Sequence, residues 1–292
     1  KTVFPPPCTS DKDTIFLPIH VGASLSDKYF GIQRDDELNG NRTENISSKN
    51  KSYCELTALY WAWKNIEKLF PGIQYVGLNH YRRYFTNKNS FCDTIKYPES
   101  AIQSYSFDTE YIKKILTKND AIIAKKRIFP YSVRIQYCKA HFSDDFSILE
   151  QVLKEKFPDY AESFEAVCDK NNKISFYNMF IFQTETFYHY CEWLFTILEE
   201  VERRIPIEHY SNVQQRIFGY MAERLLNVFI YKNKMKCKEL PVVCFSDSME
   251  NASLKAHLVN KLNYANAFRI SQNRTVIHFL LSLFKFKNHK EK

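Results

Sequence analysis

His80-Tyr81-Arg82-Arg83-Tyr84-Phe85 follows directly on Tyr75-Val76-Gly77-Leu78-Asn79. The first of these stretches gathers one histidine and two guanidinium groups. A guanidinium presents a planar fork of N–H donors that matches a phosphate, and a histidine adds a group that changes charge near neutral pH. The chemistry this suits is the grip on a phosphorylated small molecule. A second basic run, Lys125-Lys126-Arg127, follows Asp120-Ala121-Ile122-Ile123-Ala124. Further along, Arg216, Tyr220, Glu223 and Asn227 recur at helical spacing, a polar stripe on a stretch otherwise rich in Ile, Phe, Met and Leu. A carboxylate on so apolar a helix needs a partner, which Arg216 or Arg224 can supply.

Two of these groups sit where elements end. Short apolar runs with β-branched and aromatic members predict strands over 75–78 and 120–124. In open α/β sheets the carboxyl ends of the strands form the lip where ligands bind. Other predicted strands lie at 16–21, 174–182 and 240–245. Ser52-x-x-Glu55 has the form of a capping box, so Glu55 is assigned to capping a helix over 53–69. Helices are also expected over 108–117, 133–156, 184–203 and, after the Ser211-x-x-Gln214 box, 211–231. Strands alternating with helices predict an α/β class with a mixed sheet flanked by helices. One domain is expected over 1–250. A basic amphipathic tail follows over 251–292, with the apolar run 277–284 leading into Lys285, Lys287, Lys290 and Lys292. Such a tail suits peripheral contact with an anionic membrane; the plain alternative is a last helix packed on the core.

Composition narrows the function. The 292 residues are 45% apolar and 16% aromatic, enough for a large core, but only six are glycine. No GxGxxG and no GxxxxGK[ST] string occurs, which argues against Rossmann dinucleotide binding and P-loop chemistry. The formal charge of +8 fits an anionic ligand, and no nucleic-acid-binding signature accompanies it. The eight cysteines form no CxxC pair and are expected as reduced thiols in a cytosolic protein without a metal site of their own. The chain begins at Lys1 rather than Met, so missing native N-terminal residues are expected.

Three blocks carry a resemblance: Asn45-Ile46-Ser47-Ser48-Lys49-Asn50, then Tyr53-Cys54-Glu55-Leu56-Thr57-Ala58-Leu59-Tyr60-Trp61-Ala62-Trp63-Lys64-Asn65, then Val76 to Phe85. Tyr177-Asn178-Met179-Phe180-Ile181, Tyr190 to Phe195 and Arg216 to Leu225 extend it in the same order. Together they resemble a bacterial capsule and exopolysaccharide glycosyltransferase family long known only as a domain of unknown function. The resemblance implies a GT-A-like fold and transfer of a sugar from a UDP-sugar donor to a lipid-linked oligosaccharide acceptor, at the inner face of the cell membrane. Some relatives transfer galactofuranose.

Within such a transferase the residues themselves suggest roles, each beside a plain structural alternative such as salt bridging, capping or a solvated helix face. His80, Arg82 and Arg83, with Lys125 and Lys126, would hold the donor diphosphate, and Asn45 and Ser47 before a helix N-terminus would assist. The base for an inverting transfer would be Glu223 or Asp145, with Asp144 and Glu192 as further candidates and His141 beside the aspartates. Tyr177, Asn178 and Trp193 would meet the acceptor. Trp61 and Trp63 flank opposite helix faces, so one of them is expected to stack on a base or sugar. Most GT-A enzymes use an Asp-x-Asp motif with a divalent metal. Asp11-Lys12-Asp13 matches the string but precedes the first strand, so it is taken as chance. Asp35-Asp36 and Asp144-Asp145 leave a role for Mg or Mn open. The alternative in another class is a non-catalytic module that binds an anionic glycan or lipid.

Overall fold

The computed structural model describes residues 15–247 and 254–272. Asp11-Lys12-Asp13 and the apolar run at 277–284 with its lysines lie outside these residues.

The Ala121–Ala124 strand is buried at every position, which requires neighbours on both edges and cover on both faces. It takes a central place in a four-stranded sheet, ordered Cys237–Leu240, Ala121–Ala124, Phe180–Gln183, Tyr75–Leu78. Cys237–Leu240 runs parallel to it, while Phe180–Gln183 is antiparallel to both of its neighbours. Leu78, Ala124 and Leu240 therefore end on the same edge from which Phe180 departs. The residues just after Leu78, Ala124 and Leu240 and just before Phe180 gather on that edge.

Side chains alternate across the sheet as strand geometry dictates. Ala121, Ile123, Phe180 and Phe182 face a thick helical layer that contains Leu56–Leu69, Ser143–Lys156, Ala161–Cys168, Thr184–Arg204 and Ile217–Lys232. Ile122, Ala124 and Met179 face the other way, onto Phe85, Val242 and the apolar side of Thr109–Leu116. Asp108 caps that helix by accepting from the Tyr111 N–H at 2.9 Å. The result is the mixed α/β arrangement expected. Gly77 is needed where it stands: a Cβ there would lie 2.9 Å from the Phe180 carbonyl oxygen across the antiparallel pair.

Four expected elements are interrupted, each for a local reason. The 240–245 strand is two strands in different sheets, Cys237–Leu240 and Val242–Phe245, with Pro241 between them. Proline has no N–H for a ladder, and the chain steps across at that residue. Val242–Phe245 joins Arg83–Phe85 and Thr94–Tyr97 in a three-stranded sheet. The 174–182 strand is Lys173–Ile174 and Phe180–Gln183, separated by a loop in which Tyr177 and Asn178 have φ of 75° and 52°. The 53–69 helix is Asn50–Tyr53 and Leu56–Leu69, broken at Cys54 with φ 54° and ψ −125°. The 133–156 helix divides at His141 and Phe142 into Val133–Ala140 and Ser143–Lys156. Part of the expected tail is the helix Leu254–Gln272. Among the described residues no helix is long and apolar enough to cross a membrane.

Candidate functional site

The breaks in regular structure and several of the candidate site residues coincide. Asn50–Tyr53 and Leu56–Leu69 cannot run on as one helix through Cys54, whose backbone lies in a region that side chains other than glycine's avoid. The turn sets Glu55 at the start of Leu56–Leu69 with no capping bond from its side chain. Instead Glu55 Oε1 accepts from Asn178 Nδ2 at 2.8 Å and lies 4.0 Å from His80 Nε2. The capping assignment for Glu55 is thus corrected. Ser52, the other half of the expected box, donates its hydroxyl to the Lys49 carbonyl at 3.1 Å.

His80 opens a tight turn. Its N–H donates to the Arg83 carbonyl at 3.3 Å, and the Arg83 N–H donates back at 3.2 Å. The two residues are consequently paired across the turn, just past the end of Tyr75–Leu78. His80 Nε2 donates to the Tyr177 carbonyl at 2.5 Å, which places the proton on that nitrogen. Burial lowers the His80 pKa against the pull of Glu55, so the ring is neutral at ordinary pH. The Arg83 guanidinium lies over the Tyr177 ring at 4.7 Å from its centroid, and its charge is felt at both His80 and Glu223. Arg83 makes no ion pair within 4 Å among the described residues. The Arg82 Nε is buried without a partner, while its guanidinium carbon stands 5.3 Å from the Tyr81 ring centroid. Neither arginine of the pair is spent on a structural salt bridge.

The loop before Phe180–Gln183 supplies the opposite wall. Glu223 Oε1 accepts from the Tyr177 N–H at 2.9 Å, and its Oε2 accepts from Arg224 at 2.8 Å. Asn227, one turn further, accepts from the Ser175 N–H at 3.0 Å and donates to the Ser175 carbonyl at 2.9 Å. The polar stripe on Ile217–Lys232 thereby holds 175–177 in place. Burial raises the Glu223 pKa; Arg224 acts in the opposite sense and Glu55 adds to the rise. On the far side of the loop, Arg127 donates to Asp93 at 2.8 Å and to the Tyr177 hydroxyl at 3.0 Å. Tyr177 and Asn178, singled out from the sequence, are thus wedged between Glu223, Glu55 and Arg127. Asn178 is 1% exposed; both of its N–H bonds are made, to Glu55 and to the Gly219 carbonyl at 3.1 Å, but its Oδ1 has no donor.

Glu55, His80, Arg83, Tyr177, Asn178 and Glu223 therefore converge on the lip where the strands end, while the Arg82 side chain meets Tyr81. Other expected members stand apart. Lys126 pairs with Glu239 at 3.6 Å and Lys125 donates to the Ser90 carbonyl at 2.5 Å, so both lysines of the second basic run are engaged. Ser47 is fully buried and donates to Asp35 at 2.5 Å, and Asn45 accepts from the Ser47 N–H at 3.0 Å. Both residues brace the Asp35 turn rather than face a donor. Asp35 is itself used by the Gly22 and Ala23 N–H groups, and Asp36 pairs with Arg34 at 2.7 Å. Trp193 is 2% exposed and packed on Tyr160 and Phe229, a core residue with no face for an acceptor. Trp61 is buried with its N–H on the Glu37 carbonyl, and Trp63 is sandwiched between Phe195 and Lys64.

Asp145 is buried and accepts from the Tyr210 hydroxyl at 2.8 Å, with its pKa raised by that burial. It holds the loop at Tyr210 and is not brought to Glu223 by any contact. His141 stacks on Tyr220 at 4.1 Å and meets Gln214 Oε1 at 3.1 Å, which places it on the rim one turn from Glu223. Among the described residues no group of three or more His, Cys, Asp or Glu is close enough to hold a metal ion. Two residues escaped the sequence reading. Glu55 was hidden by the capping pattern. Arg127 was seen only as part of a basic run, although its partner Asp93 follows a cysteine in a loop with no pattern to mark it.

Among solved structures, a match carries the description "WbbM bifunctional glycosytransferase apo structure". The TM-score is 0.70 at 29% identity, over 85% of this chain and 45% of that one. The chain thus spans less than half the length of that protein. The architecture the two share is a GT-A-like mixed α/β fold. No curated protein matches the chain. A family profile described as "Domain of unknown function (DUF4422)" matches residues 6–234, most of the sequence, and the chain belongs to that family.

Proposed function

We propose that this protein is a glycosyltransferase that uses a nucleotide-sugar donor. The observation that carries the reading is the lip itself. A half-buried carboxylate with a raised pKa, Glu223, holds the backbone of Tyr177, whose carbonyl meets a neutral His80 and whose ring carries the uncommitted guanidinium of Arg83, at the strand ends of a GT-A-like sheet. The likeness to a bifunctional glycosyltransferase supports it. Arg82 and Arg83 hold the donor diphosphate and neutralise it as it leaves. Glu223 takes the proton from the acceptor hydroxyl while that oxygen attacks the anomeric carbon and the nucleoside diphosphate departs. UDP-galactofuranose is the first donor to test. A lipid-linked glycan of capsule or exopolysaccharide synthesis is the acceptor, met at an anionic membrane surface.

The test is a panel of UDP-sugars incubated with purified protein, with and without a chelator or added Mg or Mn, and read for hydrolysis and transfer by product mass. Turnover of at least one donor is expected. Arg83→Ala should weaken UDP binding about tenfold to a hundredfold, the range for a charge-assisted contact. UDP binding with no turnover of any donor would identify a binding module instead, and an Arg83→Ala protein with unchanged donor turnover would remove the diphosphate role.

A further inference from the structure

Asn178 is the point of departure. Its side chain is 1% exposed, and both N–H bonds are directed at acceptors, so the amide orientation is settled by chemistry. Its Oδ1 is then left buried with nothing to accept from. A buried acceptor without a donor is destabilising. Two successive residues, Tyr177 and Asn178, also hold positive φ to keep it there. Beside it, Glu55 accepts at Oε1 from Asn178, and among the described residues no group reaches Oε2. Cys54 bends through φ 54° to present that carboxylate at the lip rather than along the helix. The Glu55 carboxylate, 18% exposed and fixed through one oxygen by Asn178, offers its other oxygen to a hydroxyl group. It does not suit a phosphate, which brings no donors and the wrong charge.

Position says which hydroxyls. His80 stands 4.0 Å from Glu55 and is paired across a tight turn with Arg83. The Glu55 carboxylate is therefore one turn away from the guanidinium that the transferase reading assigns to the diphosphate. In a nucleotide sugar, the group attached directly to the terminal phosphate is the sugar.

We infer that Glu55 forms the donor-sugar subsite, its Oε2 accepting from a hydroxyl of the transferred sugar while the buried Asn178 fixes the carboxylate through Oε1. The assignment rests on the transferase reading above and adds to it the residue that recognises the sugar. Glu55 is a specificity residue here and does not exchange a proton.

The experiment is calorimetric titration of the full chain with UDP and with each of a panel of UDP-hexoses. The wild-type protein should bind at least one UDP-hexose more tightly than UDP. Glu55→Gln keeps an oxygen for Asn178 but loses the charge, and Glu55→Ala loses both. Each should bind UDP as the wild type does, which also certifies folding, while the extra affinity for the hexose falls about tenfold to a hundredfold. A deoxy analogue lacking the hydroxyl that Glu55 holds should bind wild type and Glu55→Gln equally. Equal weakening of UDP and UDP-hexose, or no weakening of either, overturns the subsite and leaves the transferase reading standing. Absence of any UDP or UDP-hexose binding by the wild-type protein overturns both.

Discussion

Replacing Arg224 with Met tests how the site is held together. Arg224 is 1% exposed and donates to Glu223 at 2.8 Å. The same nitrogen reaches the Tyr220 carbonyl at 2.8 Å, the other terminal nitrogen reaches Gln136, and the guanidinium lies against the rings of Tyr137 and Phe176. Methionine keeps most of the ring contact and loses the charge. Breaking a buried pair by removing one partner costs about 3–5 kcal/mol, because the other charge is stranded. Glu223 keeps the Tyr177 N–H and is 14% exposed, so the lower end, about 3 kcal/mol, is expected near pH 8. The sign of the pH dependence follows from Glu223. Burial already raises its pKa, and loss of Arg224 raises it further. A carboxyl raised in the folded state adds stability below its unfolded pKa, and that stability is lost as pH climbs through the raised value. The deficit of the Arg224→Met protein should accordingly be largest near pH 8 and shrink toward pH 5. Urea unfolding followed by tryptophan fluorescence at both pH values measures it. The double variant with Glu223→Gln should recover most of the loss, since neither charge remains. A deficit below about 1 kcal/mol near pH 8, or one of equal size at both pH values, would refute the account.

Two other outcomes bear on the same site. Glu223→Gln should lower kcat by about a hundredfold to ten-thousandfold while UDP affinity stays within about threefold; the wild-type rate should fall on the acid side along a limb above the ordinary glutamate range, as burial of Glu223 requires, and a pH–rate profile checks both. Cys54→Gly should stabilise the protein by about 1 kcal/mol, the relieved backbone strain less the added chain entropy, whereas Cys54→Val should destabilise it by at least as much; thermal melts separate the two.

Much of the architecture was legible because it follows from local pattern. The buried run Ala121–Ala124, the Asp108 cap and the polar stripe from Arg216 to Asn227 each obey a periodicity, and each stands as the pattern requires. His80, Arg82 and Arg83 were legible from residue type at a strand end. Pro241 carried its own warning, since a residue without an N–H seldom sits inside a paired strand. The rest depended on contacts that no spacing encodes. Glu55 wears the signature of a cap, and only the left-handed turn at Cys54 redirects it. Asn178 lies in a run of aromatics that looks like strand, and the loop's departure is enforced by bonds from Tyr177 to Glu223 and from Ser175 to Asn227, 46 and 52 residues away. Trp193 shares a motif with functional neighbours, yet its ring completes the core, because a helix buried on most of its surface needs its largest side chains for packing.

The strand pairing of the lip also governs when the protein can work. Glu55, His80 and Arg83 come from the first third of the chain, Asn178 from beyond its middle, and Glu223 later still, while Cys237–Leu240 completes the edge. Contacts this distant in sequence form late and make folding slow. During synthesis the emerging polypeptide displays its arginines long before the carboxylate that faces them has left the ribosome. The assembled lip is consequently a property of the finished fold alone, and a fragment that stops short of Glu223 leaves the 175–178 loop without its anchor.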